Sequence, residues 1–532
     1  MSPDPSSPLT EREFSSAVFA PHQEGQGESS EIGLALSGGG VRAALFSLGV
    51  VIGLIEMEFH RRLRCLTSVS GGSIVNAALA HGPTLNSFGS LKEFQPLASA
   101  MAASLARRGV FAFDVRTIGA AARYVVGVFI RTVPSALGAA IGLIGFWSAM
   151  SPQLTEFNWS AMGSRLTELR WSLHLSTVPW LWLVGISVVS LVAVVLLSRG
   201  LFQQARYDSV LEAIGSVVNS KFGRLYVRDW AGGANDHADA VMHILVATDL
   251  LSGEPMFFSK RFVHCRLYGW SPPENLRTAE ALYSSAAFPA VFPPKKLKLK
   301  RFHFRNGETS GELPPLVRLA DGGVYNNLGI DWFDVLEKQA DQLWPFGKLD
   351  VRPPNIARDN IIVVNASAPS QKIDRLRPIF SVARIMSVLY DNTVRPRLDA
   401  LMHQQRPVID ISESPLALAE RLGQDQGEVG QRANAVALKL RAMGQRFWED
   451  LTRDTSGTPT KLTRAGARTG ARLMLHGYLS TLVLLHARFG AALPKSLRGD
   501  AYFLSLVSPG LVPAENGENR VGSKSTAVGG RS

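Results

Sequence analysis

The stretch from Leu63 to Ser73 constrains this chain more than any other. An extended run, Leu63 to Val69, stops at Ser70; Gly71 and Gly72 follow at once, and a helix-forming run, Ile74 to Ala80, takes over. Strand, tight turn and helix in that order are the setting of a nucleophile elbow, which pushes a serine hydroxyl out over the strand ends. Such a turn crowds its neighbours, so the flanking positions need small residues. Ser68, Gly71 and Gly72 meet that need. The usual pattern is Gly-x-Ser-x-Gly, and Ser68 stands in the place of the first glycine. Taken alone, the stretch reads equally as an ordinary strand-to-helix turn.

Two further stretches bear on it. Ile32 to Ala44 reads as a buried strand, a turn made of Gly38, Gly39 and Gly40, and the start of a helix running to about Glu56. The first N–H groups of a helix have no partner within it and point at whatever lies above them, so they suit an oxyanion. They suit a nucleotide phosphate too. The Gly-Lys-Ser/Thr ending of a P-loop is absent, whereas Ala43 falls where a dinucleotide fingerprint puts Gly or Ala. On spacing alone the two readings stand close. The second stretch is Val317 to Gly329, where a strand delivers Asp321 onto the turn residues Gly322 and Gly323. By itself an Asp-Gly-Gly segment is a common β-turn.

In this order the three stretches resemble the patatin-like phospholipases, whose members carry a glycine-rich oxyanion loop ending in Arg or Lys, a serine elbow, and an Asp-Gly-Gly or Asp-Gly-Ala motif. Ala247 to Pro255 is similar to the family's central strand and turn, and Ser284 to Pro294 to its helix-to-loop segment before the aspartate. The resemblance spans residues 31–330. It departs from the family at Ser68 and at Ala43, both small replacements. It implies a three-layer α/β/α domain with a mostly parallel central sheet and a Ser-Asp dyad acting without histidine. Ser70 is then the nucleophile and Asp321 the base, with the N–H groups of Gly38, Gly39 and Gly40 as the oxyanion hole. Arg42 holds either the loop or an anionic headgroup, and Ser68, Gly71, Gly72, Gly322 and Gly323 support the two turns. The implied reaction is cleavage of acyl esters of membrane lipids through an acyl-Ser70 intermediate, with no metal and no cofactor. Three rivals remain: transacylation, a catalytically silent membrane scaffold, and a Ser-His-Asp esterase. The last needs His403, His476 or His486, all of which fall on predicted helices.

The formal net charge of +12 and the pI near 9.8 suit nucleic acid or an anionic membrane surface. Zinc-finger spacing, an aromatic RNA-binding signature and a long basic tail are all absent, so nucleic acid is not expected as a partner. Two cysteines, Cys65 and Cys265, make no disulfide framework and fit a reducing compartment.

Along the chain, residues 1–30 are rich in Ser, Pro, Glu and Gln and are expected to be disordered, with no secretory signal in view. Residues 31–115 form the first part of the catalytic domain. Residues 116–204 read as an inserted hydrophobic hairpin, because 132–150 and 178–197 contain no charged residue. Trp180 and Trp182 sit where an interfacial belt places them, and Gly138 and Gly142 suit close helix packing. Arginines crowd the outer flanks, at 107, 108, 116, 123 and 131 before the pair and at 199 and 206 after it; the connecting loop, 151–177, has Arg165 and Arg170. That bias predicts both ends of the hairpin, and the catalytic domain with them, on the cytoplasmic side of a bacterial inner membrane. Residues 205–370 resume the α/β pattern, and within them Lys296, Lys298 and Lys300 are expected on one strand face. Residues 371–510 form a mostly helical region, with runs near 378–405, 415–450 and 464–488, and 511–532 a disordered tail.

Overall fold

The computed structural model describes residues 31–107, 109, 226–230, 241–289, 294–308, 312–339, 356–367, 381–460 and 463–508. The expected hairpin at 116–204 and the two expected disordered ends lie outside these residues. Among the described residues no helix is long and apolar enough to cross a membrane.

Eleven strands among the described residues form one sheet. In chain order they are β1 (Ile32–Leu36), β2 (Leu63–Val69), β3 (Met242–Asp249), β4 (Pro255–Ser259), β5 (Val263–Cys265), β6 (Gly269–Ser271), β7 (Lys295–Lys298), β8 (Arg305–Asn306), β9 (Leu316–Asp321), β10 (Ile361–Asn365) and β11 (Val408–Asp410). The run β11-β10-β1-β2-β3 is parallel throughout. Its inner strands β1 and β2 are buried along almost their whole length because both faces are covered. Past β3 the sheet continues as an antiparallel wing, β4-β5-β6-β8, with β9 joined antiparallel to β3 and β7 antiparallel to β9. The sequence reading did not separate this wing from the parallel core, because its strands are only two to five residues long.

Helix α1 (Gly40–Glu56) follows β1, and α2 (Ser70–His81) follows β2. Helix α1 is apolar all round and correspondingly buried on nearly every side. It meets α2 and, on its outer side, α11 (Ala467–Phe489), which the sequence places as a core helix. A side chain at Gly49 would strike the backbone of Met474, and one at Gly477 would strike the carbonyl of Phe46. The two helices therefore cross backbone to backbone. On the opposite face, Ala35, Cys65, Val69, Ile244 and Val246 pack on Trp332 and Phe333 of α6 (Asp331–Gln339). Val363 and Val408 pack on Val394 of α7 (Ser381–His403). The three-layer α/β/α arrangement follows.

The helical run expected at 415–450 is three helices, α8 (Pro415–Leu422), α9 (Glu428–Arg441) and α10 (Gln445–Ser456). Gly427 and Gly444 break it, with φ of 106° and 89°, values that a helix cannot hold. The lysine face is shorter than expected. β7 ends at Lys298, and Lys300 lies in the following turn. Lys298 and Lys300 are exposed, while Lys295 is buried against Glu280 at 3.0 Å.

Candidate active site

The sheet register brings Ser70 and Asp321 together. β2 pairs with β3 up to Val69 against Val246. At the next residue β2 leaves the sheet to start α2. The vacated edge of β3 is taken by β9 arriving from the other direction, so that Ala247 pairs with Asp321. β4 fills the other edge of β3 over the same residues, which leaves β9 only the edge that β2 gave up. Ser70 and Asp321 thus meet head-on at one end of the parallel strands.

Each turn is built for the meeting. Ser70 has φ of 49°, in the left-handed region that non-glycine residues seldom occupy. That strain is what an elbow requires. A Cβ at Gly72 would sit 2.7 Å from the Leu36 carbonyl oxygen, and one at Gly322 would strike the carbonyl of Val246. Asp321 is held by its own N–H to the Ala287 carbonyl (3.0 Å), and the Gly322 N–H reaches the Ser285 carbonyl (3.2 Å). The segment before the aspartate therefore anchors it, through α4 (Thr278–Ala286) and the residue that ends it.

Asp321 is fully buried. Its Oδ1 accepts from the Gly323 N–H at 2.8 Å, while Oδ2 has no hydrogen-bond partner at normal geometry. Burial pushes its carboxyl up to about 7. The Ser70 hydroxyl and the Gly323 N–H pull the other way, favouring the charged form, and so place Ser70 beside the carboxylate. A carboxylate that gains its proton near neutral pH is suited to accept one from an alcohol.

The glycine loop faces Ser70. A Cβ at Gly38 would lie 3.0 Å from the Ser70 Cβ, and one at Gly71 would strike the backbone of Gly40. One expected oxyanion donor is committed elsewhere: the Gly38 N–H donates to the Asn327 carbonyl at 3.0 Å. Among the described residues the N–H groups of Gly39 and Gly40 have no recorded acceptor. They start α1, with φ of 143° and 63°. Arg42, left open by the sequence, is inside the protein and ties the start of α1 to two other segments: its Nε donates to the Ala366 carbonyl (2.9 Å) and its Nη1 to the Thr458 carbonyl (2.6 Å). Burial lowers its pKa to about 10, opposed by the charge of Asp391, and it stays cationic at neutral pH.

Behind the elbow lies a polar network that sequence reading did not assemble. Ser285 Oγ is 3.3 Å from the Ser70 N–H that donates to it and 2.7 Å from Ser73 Oγ. Ser73 Oγ donates to Ser68 Oγ at 3.0 Å. Asn76 Nδ2 lies within 3.0 Å of Ser68 Oγ and of the Leu66 and Ile244 carbonyls. Asn76 Oδ1 in turn accepts from His243 Nδ1 at 2.7 Å. His243 is kept neutral by burial, which lowers its pKa to about 3. The two signals in the sequence were Ser68 in a glycine's place and Asn76 alone in an apolar helical run.

The histidine rivals are placed elsewhere. His476 is buried in α11, its two ring nitrogens on Thr455 Oγ1 (2.7 Å) and the Glu413 carbonyl (3.0 Å). His486 Nδ1 meets the Ala491 carbonyl, and His403 is exposed at the end of α7. None of the three contacts Ser70 or Asp321. No group of acidic, His and Cys side chains able to hold a metal occurs among the described residues.

Comparison with known proteins agrees with this geometry. Residues 34–334, more than half of the chain, match the family model described as "Patatin-like phospholipase". The crystal structure of VipD from Legionella pneumophila aligns over 92% of this chain and 94% of its own, at 13% identity and a TM-score of 0.24, too loose to carry an argument. No curated protein matches. Strand order, elbow, glycine loop and family match converge, and the chain belongs to the patatin-like phospholipase family.

Proposed function

We propose that the protein hydrolyses acyl esters of membrane lipids with Ser70 as nucleophile and Asp321 as its base. One observation carries the reading: a serine strained at an elbow meets a buried carboxylate whose Oδ2 has no other partner. In the first half-reaction Asp321 takes the Ser70 proton as Oγ attacks the ester carbonyl. The oxyanion forms against the N–H groups of Gly39 and Gly40, with the start of α2 adding its positive end. Loss of the alcohol leaves acyl-Ser70, and water, deprotonated by the same carboxylate, releases the fatty acid.

Apolar side chains near the site favour a lipid substrate. Leu250 and Leu251, three and four residues beyond Ala247, which pairs with Asp321, are 46% and 57% exposed, and Leu389, beside Tyr390 of α7, is 49% exposed. A membrane location rests on the uncharged stretches at 132–150 and 178–197 and their arginine-rich flanks, which we read as a hairpin anchoring a cytoplasm-facing catalytic domain.

The test is fatty-acid release from a panel of phospholipids, lysophospholipids and glycerides by the wild type, Ser70→Ala and Asp321→Asn. Release by the wild type and its loss in both variants supports the reading. Release by Ser70→Ala at the wild-type rate would end it. For the membrane, alkaline carbonate should leave the full chain in the pellet, and a cysteine at Met162 should be labelled from outside the inner membrane. A soluble, unlabelled chain contradicts the hairpin.

A further inference from the structure

Two side chains that both border Gly323 each carry an unpartnered polar atom. One is Asp321 Oδ2; the other is the hydroxyl of Tyr390, buried and without a hydrogen bond. Tyr390 belongs to α7, in the helical region beyond the 34–334 family match. Its ring is held on two sides. It stands edge-on to Phe288, with centroids 5.4 Å apart at 81°. On the other side a Cβ at Gly323 would lie 3.1 Å from its Cε2, the atom next to the carbon that bears the hydroxyl. Gly323 is the residue whose N–H binds Asp321. Seven residues on, Arg397 Nη1 donates to the Tyr325 carbonyl at 3.0 Å, which pins α7 over the turn after Asp321. A donor left unpaired inside a well-packed corner is costly in a resting protein and calls for an acceptor that arrives later.

We propose that Tyr390 is a further catalytic residue, donating a hydrogen bond to the leaving-group oxygen of the ester bound at Ser70. The proposal rests on the Ser70–Asp321 reading. Its direction follows from proton balance. The proton removed from Ser70 resides on Asp321. When the tetrahedral intermediate collapses, the bond from the carbonyl carbon to the alcohol oxygen breaks and its electron pair goes to that oxygen, which then takes the proton from Asp321. The leaving oxygen must therefore sit on the Asp321 side, where Tyr390 stands, whereas the glycine loop takes the carbonyl oxygen. Tyr390 keeps its own proton throughout. Burial and the neighbouring charge of Asp321 both raise its pKa above the ordinary range, which suits a hydrogen-bond donor and not an acid.

The experiment compares Tyr390→Phe with the wild type on two esters of one acid. Monobutyrin releases an alkoxide that needs the hydrogen bond; p-nitrophenyl butyrate releases a stabilised phenolate that does not. The ratio of their kcat/KM values is independent of how much of a preparation is folded. In Tyr390→Phe the monobutyrin to p-nitrophenyl ratio should fall about 10- to 100-fold, the scale of one lost donor at a developing charge. Melting should be unchanged or raised, because a buried unpaired hydroxyl is gone. A ratio equal to that of the wild type overturns the role of Tyr390 while leaving Ser70 and Asp321 intact. If the wild type cleaves neither these esters nor any lipid of the panel, the underlying reading fails first.

Discussion

Two buried polar clusters flank the elbow of β2 and α2, and they are built on opposite rules. Behind it, Ser285, Ser73, Ser68, Asn76 and His243 are linked by hydrogen bonds of 2.7–3.3 Å, Asn76 has partners on both ends of its amide, and the one atom left over is His243 Nε2 at the far end of the chain of bonds. In front, Asp321 Oδ2 and the Tyr390 hydroxyl have none. Both clusters are desolvated, so both had to be balanced when the chain folded. The linked cluster fixes the elbow. The unlinked one holds its free valences for a substrate, and its cost falls on stability.

That contrast is broken most forcefully at the front. Ser70→Ala and Asp321→Asn should each lower kcat/KM at least about 1000-fold, with the double variant little worse, since the two act as one unit. Steady-state rates on any cleaved ester read this. Behind the elbow, Asn76→Ala should destabilise the fold by about 2–4 kcal/mol in urea titration, because it orphans buried groups on both β2 and β3 at once. Equal tolerance at Asn76 and at an exposed residue would erase the distinction.

The next effect has the opposite sign. Folded Asp321 titrates near 7 against 3.8 for an unperturbed group. The folded state therefore binds more protons between these values, so this group's contribution to stability is full below about pH 4 and is lost as pH rises through 7. Asp321→Asn should accordingly gain about 1–3 kcal/mol over the wild type at pH 8, and the gain should shrink towards pH 4. Thermal melts at the two pH values check it, and a gain that does not change with pH refutes it. Smallest is Ser68→Gly, which restores the usual elbow glycine but removes an acceptor of Ser73 and Asn76. Its expected cost is about 1 kcal/mol by the same titration.

How far the sequence reached depends on what each feature needs. Ser70, Asp321 and the glycine loop were legible because each demands small residues in a fixed local order. The parallel core was legible from the apolar runs of β1 and β10 and from the strand–turn–helix order at β2. The network behind the elbow was not, because His243 and Ser285 lie over 160 residues from Asn76 and Ser70, and only the register of β2 with β3 and the packing of α4 on α2 join them. Gly38 was read as a donor because its position matched. That its N–H is used by Asn327 depends on a loop some 290 residues later. Tyr390 carries no local pattern, since one tyrosine in a helix looks like any other until α7 is laid over Gly323.

Activation of Ser70 by the Asp321 carboxylate, as proposed above, is read most directly by covalent trapping. A fluorophosphonate ester should label Ser70 alone, as read by mass spectrometry of the modified peptide. Its rate should rise tenfold per pH unit below about 7 and level off above it, following deprotonation of Asp321. In Asp321→Asn the labelling should be lost at every pH. Labelling of Ser70 that is flat from pH 5 to 9, or that survives in Asp321→Asn, would contradict the account.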